Sequence, residues 1–310
     1  MTVTRATQAT PPAARRSNRA AMDHVLPIRW AAVAAATLAA CTAGESEVRP
    51  DPDTIFYPTA VTVAPDDSVA FVVSANSDLT YDSGTVQVVD LVAVEQAVTA
   101  WKTNRTVPPD CAASVDQPET LSCAEQSFLI DDAGVRIGNF ATSIASQDLG
   151  AGRLRLMIPV RGDPSLTWMD WDPATRRLGC GTAAGFALCD DDHRLIRVLD
   201  DADLPLPSEP YSVFIDSIGE FAVMSHFSNG TISLIDSPAA GTPQLVDAAA
   251  VGLDVGLSGV AGRNPGVDDL IYVQSRQSDR VFLLTVGRQA GRPPLLVASG
   301  FFFQNGIGGG

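Results

Sequence analysis

The sequence predicts an all-β protein, a β-propeller of four-stranded antiparallel blades. Three observations carry that prediction. A strand–turn–strand–loop–strand pattern is written several times along the chain, with different letters each time. The copies recur at spacings of roughly 40–60 residues, the period of a propeller blade. Between the copies stand Pro, Asp, Asn and Gly, the residues that turn a chain between strands.

The first copy is "YPTAVTVAPDDSVAFVVSANSDLTYDSGTVQVVDL", Tyr57 to Leu91. Ala60 to Ala64 alternates around Val61 and Val63, Pro65 to Ser68 supplies the turn, and Val69 to Ser74 is a second strand. Ser83-Gly84 restarts the pattern for Thr85 to Val89, and Asp90 closes it. The second clear copy is "EPYSVFIDSIGEFAVMSHFSNGTISLIDS", Glu209 to Ser237, in which Pro210 matches Pro58 and Phe221-Ala222-Val223 is matched to Phe71-Val72-Val73. Weaker copies run from Asn139 to Asp172 and from Ser258 to Val286, and "FFFQNGIGGG" reads as the opening of another.

Pro58, Val72, Val73, Asn76 and Gly84 to Asp90, with their partners between Pro210 and Asp236, carry a resemblance to the YVTN/NHL-like propeller superfamily. Blades of that group read Pro-x-x-hydrophobic-x-hydrophobic, a turn, "lyVaN", then "gtVsviD". The stretches "IGNFAT" and "RGDPSLTWMDWD", together with the N-terminal cysteine motif described below, are similar to secreted lipoproteins of myxobacterial type. The resemblance implies a propeller from about Ile55 onward and no particular reaction, since such propellers serve many ends. The roughly 255 residues from there to the end make four to five blades, whereas closure commonly takes six to eight, so the propeller is expected to be incomplete at its C-terminus, with a small propeller as the alternative.

Two insertions interrupt the blades, at about 93–138 and 176–208, and both are expected to project from one rim. Val92 to Trp101 has a helical pattern. Each insertion holds a cysteine pair, and four cysteines allow three connectivities. Pairing Cys111 with Cys123 and Cys180 with Cys189 is the expectation, since each closes a short loop worth about 3 kcal/mol in the loop-entropy model.

The first forty residues read as a lipoprotein signal peptide. Arg15, Arg16, Arg19 and Arg29 precede an apolar run from Trp30 to Ala40, too short to span a bilayer comfortably. The run ends Leu38-Ala39-Ala40-Cys41, which resembles a lipobox, so Cys41 is the expected site of acylation, with Met22 an alternative start. Residues 41–54 are polar and Pro-bearing and read as a flexible tether; residues 55–310 form the propeller. The expected location is the cell envelope, on the extracytoplasmic side of a membrane held through Cys41.

Removal of the leader takes five arginines and only Asp23, leaving 16 basic against 35 acidic residues, a formal net charge of −19. Such a body repels phosphate backbones, which argues against nucleic acid as a partner. Neither a GxSxG, an HExxH nor a P-loop occurs, and no cofactor is expected. Asp190-Asp191-Asp192-His193 lacks the glycine and closing glutamate of a calcium loop and reads, like Asp200, Asp201 and Asp203, as a solvated acidic segment. Arg161-Gly162-Asp163 reads as a strand-to-strand turn flanked by Pro159 and Pro164. Arg161, Asp163, Trp168 and His226 are the candidate ligand face, with Trp101, Trp168, Trp171 and Tyr211 otherwise read as anchors between blades. The expected function is a binding or scaffold module for an envelope protein or a glycan. The alternative is a propeller enzyme of lactonase or quinoprotein type, which requires acids, arginines or histidines converging on the central funnel.

Overall fold

The computed structural model describes residues 47–182, 185–198, 201–216, 219–249, 255–262, 270–287 and 294–303, with backbone alone at 198 and 201–204. The leader, Cys41 and the end of "FFFQNGIGGG" lie outside these residues, as does Asp200.

Four four-stranded antiparallel blades account for most of the described chain. Blade one contains β1 (Pro58–Val63), β2 (Val69–Ser74) and β3 (Gly84–Asp90). Its excursion holds helix α1 (Leu91–Asn104) and a small hairpin, β4 (Cys111–Ala113) with β5 (Leu121–Cys123), before β6 (Val135–Ile137) completes the sheet. Blade two contains β7 (Ala145–Gly150), β8 (Arg153–Val160), β9 (Ser165–Asp172) and β10 (Arg177–Gly179), with β11 (Arg194–Leu195) also paired to β9. A two-stranded link, β12 (Arg197–Val198) with β13 (Asp201–Pro205), leads to blade three. That blade contains β14 (Pro210–Ile215), β15 (Phe221–His226), β16 (Ile232–Asp236) and β17 (Gln244–Ala249). Blade four contains β18 (Leu257–Gly262), β19 (Ile271–Ser275), β20 (Arg280–Gly287) and β21 (Leu295–Phe303). Phe301 to Phe303 therefore end the outer strand of blade four; the three aromatics extend its register opposite Arg280 to Phe282 and do not open a new blade.

The blades stack face to face through three apolar clusters. Val86, Val88 and Ile137 of blade one meet Leu156, Ile158 and Trp171 of blade two. Met157 and Trp168 meet Val213 and Met224 of blade three, and Val223 and Leu234 meet Val273 and Phe282 of blade four. Alternation along each strand sends successive side chains to opposite faces, which is why one strand can serve two junctions.

Register sharpens the match between copies. Val69 lies opposite Asp90, and Phe221 lies opposite Asp236, so Phe221 is the counterpart of Val69 and not of Phe71. The two-residue error arises because Phe recurs in both strands on the same face. The punctuation behaves as the turn chemistry requires. The Asp66 carboxylate accepts from the Ser68 amide and hydroxyl, and Asp216 accepts from the amides of Glu220 and Phe221. Asp90 caps α1 by accepting from the Ala93 amide at 3.0 Å and pairs with Arg176 at 2.8 Å.

Both disulfides join the expected pairs, Cys111–Cys123 and Cys180–Cys189. The insertions do not share a rim. Antiparallel order places the β2–β3, β8–β9, β15–β16 and β19–β20 turns and the links between blades at one end of the propeller, here called upper. The first insertion leaves from the lower end of β3, and Val135–Ile137, expected within it, is the fourth strand of the blade. The second interrupts the outer strand of blade two, since β10 and β11 pair with successive parts of β9.

Residues 47–54, expected to be part of a flexible tether, lie along blade one. Glu47 pairs with Arg136, and the Val48 amide donates to the Asp82 carboxylate. The Asp82 amide donates back to the Val48 carbonyl at 3.0 Å, and Gln87 donates to the carbonyls of Pro52 and Thr54. No helix among the described residues is long and apolar enough to cross a membrane.

Candidate functional site: a cleft between blades one and two

The second insertion reaches across to blade one. The Arg136 amide donates to Ala187 O at 2.8 Å, Cys189 N donates to Arg136 O at 2.9 Å, and Leu188 forms a parallel bridge with Arg136. The Arg136 side chain is itself buried, donating through Nε to Phe186 O at 3.3 Å and through Nη1 to Glu47. A loop closed by Cys180–Cys189 thus clasps two blades. Its far side forms one wall of a cleft.

That cleft has a volume of about 390 Å³. Gly138, Asn139 and Phe140 of the inter-blade link line it, with Gly162 and Asp163 of the β8–β9 turn, Thr167 of β9, Leu188, Cys189 and Arg194 of the clasp, and Leu79 and Asp82 of the β2–β3 loop. The walls are fixed by directional bonds. Asn76 adopts a left-handed φ of 51°, accepts from Tyr81 N at 3.1 Å, and donates to Asn139 Oδ1 at 2.8 Å. Arg161 N and Gly162 N donate to Phe140 O and Asn139 O at 3.2 and 3.0 Å. A Cβ at position 162 would stand 2.9 Å from Asn139 O, so the close approach of this turn to the link needs glycine.

The Arg161–Asp163 turn divides its charges. Asp163 turns into the cleft and pairs with Arg194, which also reaches Asp191 at 3.1 Å. Arg161 turns the other way, to Glu209 at 2.6 Å, over the rings of Tyr211 and Phe227, which stack 5.2 Å apart. The Ser228 hydroxyl and then the Arg161 guanidinium hold the Glu209 carboxyl below the usual carboxylate range. Neither end of this turn offers an unpaired charge of the kind an adhesive loop displays.

The other two residues of the expected ligand face are interior. Trp168 is 5% exposed, between the Arg155 guanidinium at 4.9 Å and the His193 ring at 4.2 Å. His226 is fully buried; its Nδ1–H donates to Ser208 O at 3.2 Å, so Nε2 accepts from the Ser233 hydroxyl at 2.7 Å. Burial pushes its pKa down to about 4, keeping the ring neutral. The strand pattern allowed this, because Ser225 and His226 point to opposite faces while Ser233, on the next strand, shares the face of His226. Asp190 binds His193 Nδ1 at 2.7 Å, and this partner lowers its pKa. No group of three or more His, Cys, Asp or Glu with metal-binding geometry occurs among the described residues. Sequence reasoning singled out Asp163 but missed Asp82, Asn139, Thr167 and Arg194, which the fold brings together from four segments.

No family model matches this chain, and no curated protein matches it. Solved structures do. A functionally unknown protein from Desulfotomaculum acetoxidans aligns with a TM-score of 0.51 and 13% identity, over 79% of this chain and 56% of the other. A proposed 6-phosphogluconolactonase from Bacteroides uniformis aligns with a TM-score of 0.48 and 11% identity, over 84% and 65%. The periplasmic gluconolactonase PpgL of Pseudomonas aeruginosa aligns with a TM-score of 0.48 and 15% identity, over 83% and 63%. The chain thus spans less than two thirds of the length of each. At these identities the likeness concerns the fold, and the protein is a β-propeller.

Proposed function

We propose that this protein is a lipid-anchored, extracytoplasmic propeller of the YVTN/NHL kind, similar to the secreted lipoproteins of myxobacterial type, and that it works as a recognition module. Its ligand site is the cleft between blades one and two, and its partner is an envelope protein or glycan. The observation that carries this reading is the composition of the cleft. Hydrogen-bonding groups of Asp82, Asn139, Asp163 and Thr167 stand beside the apolar surfaces of Leu79, Phe140 and Leu188. That mixture suits reversible binding, with apolar area for affinity and a few placed polar groups for orientation. The acids of the cleft are held by Arg194 and by the Val48 amide, an arrangement that fixes shape and leaves no nucleophile–base pair among the named groups. Two disulfides fit an oxidising compartment.

A photo-crosslinking residue placed at Leu79 or Leu188 in cells tests the reading, with Val115 at the tip of the β4–β5 hairpin as the control. A shared adduct from both cleft positions, absent at Val115, is the expected result. Equal labelling at all three positions, or none, refutes it. The catalytic alternative is tested with the purified protein: hydrolysis of a lactone panel that Asp82→Asn and Asp163→Asn both abolish would replace recognition with catalysis.

A further inference from the structure

Each blade is entered at its upper end through a residue of left-handed φ: Tyr57 (46°), Phe140 (61°), Glu209 (50°) and Gly256 (81°). In all four blades the carbonyl of that residue accepts from the amide that follows the second strand, at Ala75, Arg161, Phe227 and Arg276. At two junctions the entry amide also donates back to the preceding blade, Phe140 N to Ala75 O at 2.7 Å and Gly256 N to Phe227 O at 2.6 Å. Backbone bonds thus run along the upper edge from blade to blade. Between blades two and three they are interrupted, since no bond joins Glu209 N to Arg161 O among the described residues. Side chains stand in that place: the Arg161 guanidinium reaches Glu209 at 2.6 Å and lies over Tyr211 and Phe227, and the Thr142 hydroxyl donates to Tyr211 O.

The lower end of the same junction is pinned by buried groups. Gln147 Nε2 donates to Gly219 O and Ser237 O at 2.6 and 2.7 Å, and its Oε1 accepts from the Ser237 hydroxyl. Arg155 donates to Pro238 O and Gly241 O at 3.1 and 2.9 Å. Arg155 is 3% exposed, whereas the Arg161 and Glu209 side chains are 32% and 35% exposed and open to screening by salt.

We propose that blades one and two and blades three and four are two halves hinged at the lower end of this junction, and that Arg161–Glu209 is the latch that holds the upper end shut. The apolar cluster around Met157 and Met224 keeps the motion to a tilt of packed faces. The latch bears on the cleft through one turn. The Arg161 and Gly162 amides hold that turn on Phe140 and Asn139, and Gly162 and Asp163 line the cleft. A ligand seated there acts on the latch, and release of the latch loosens the cleft wall, by reciprocal linkage. What the motion regulates rests on the cleft being the recognition site; the latch itself does not.

The test reads both ends of the junction. Nitroxide pairs are placed at Pro164→Cys with Asn229→Cys, in upper turns of blades two and three, and at Thr175→Cys with Ala239→Cys, in lower turns; all four positions are exposed. Glu209→Lys is expected to broaden the upper distance distribution and leave the lower one unchanged. In the unlabelled variant, exchange at the Gly162 amide should quicken about five-fold, with Cys189 unchanged. Sodium chloride at about 1 M should move the protein with native Glu209 in the same direction, about two-fold, without any substitution. Equal broadening at both ends, or none in either condition, overturns hinge and latch. Upper broadening with unchanged exchange at Gly162 overturns the tie to the cleft. No ligand enters these measurements, so failed crosslinking at Leu79 and Leu188 would remove the recognition site and leave the latch standing.

Discussion

The first and last blade junctions solve the same packing problem by different means. Between blades three and four the contact is a continuous apolar cluster around Val223, Leu234, Val273 and Phe282. Polar links there include the Val260 amide to Ser212 and the Leu296 amide to Asp247, both at 3.3 Å. Between blades one and two an apolar cluster is overlaid by the Arg136 hub, the Cys180–Cys189 clasp, and the Asn76–Asn139 contact. Apolar packing constrains volume and little else, and cores tolerate rearrangement if volume is kept. Directional bonds fix positions, which a binding site requires. Of these two junctions, the one that carries the cleft has the directional overlay.

Removing apolar volume from the last junction should cost the most and touch the cleft least. Leu234→Ala empties space in a fully buried position, and a loss of about 2–5 kcal/mol in urea unfolding is expected. Amide hydrogen exchange at Asn139, Arg136 and Cys189 should keep its wild-type order of protection. If cleft amides lost protection selectively in this variant, the two junctions would be coupled and the contrast between them would fail.

Opening the clasp should reverse that pattern. The double substitution Cys180→Ser, Cys189→Ser is expected to lower stability by about 3 kcal/mol in the loop-entropy picture. Exchange should quicken first at Arg136 and at position 189, whose amides bond across the blades, with little change at Val273. Uniform quickening across all four blades would show that the disulfide acts on the whole propeller and not on one junction.

The next effect is a pH dependence located between blades two and three. His226 has a folded pKa of about 4 against an ordinary value of 6.5, so between those values the unfolded chain binds a proton that the folded chain does not. The contribution is complete above pH 6.5 and is lost as pH falls toward 4, by about 3 kcal/mol at most for a buried ring. Carboxylates with lowered values, among them Asp90 and Glu209, lose stability in more acidic solution and overlap the lower end of this window. The useful measurement is therefore the difference between wild type and His226→Gln in urea unfolding at several pH values. That difference should change between pH 6.5 and 4 and stay constant above; a flat difference would mean that the ring is hydrated and titrates normally.

The blades were legible in the sequence because strands are written locally: alternation, a turn acid, then a β-rich run. Asp66 bonds the Ser68 amide two residues on and Asp90 caps the Ala93 amide three residues on, so such punctuation could be read without a fold, whereas the Asp90–Arg176 pair could not. Short disulfide loops were legible for the same reason. The clasp was not, because Arg136 and Ala187 are joined across two blades by backbone groups that leave no residue-type signature. The cleft was half legible. Asp163 stood out in a charged tripeptide, whereas Asn139 and Thr167 look like ordinary link and strand residues until the turn at Gly162 is packed against Phe140. Of the two readings of Trp168, the fold supports the anchor between blades and not display, and His226 is likewise turned inward by strand alternation.

The smallest predicted effect isolates what the blade asparagine contributes. Asn76 is buried, sits at φ 51°, and holds Tyr81 on one side and Asn139 on the other. Two substitutions separate its backbone role from its side-chain role. Asn76→Gly keeps easy access to the left-handed region but deletes the amide, whereas Asn76→Ala deletes the amide and adds the penalty of a Cβ there, about 1 kcal/mol. Alanine should therefore be less stable than glycine by that amount in urea unfolding. Both variants should loosen the Asn139 wall, read as faster exchange at Asn139 and weaker crosslinking from Leu79. If alanine and glycine prove equally stable, the loop leaves the left-handed conformation once the amide is gone. The side chain, not glycine-like backbone freedom, would then be what holds the cleft wall in place.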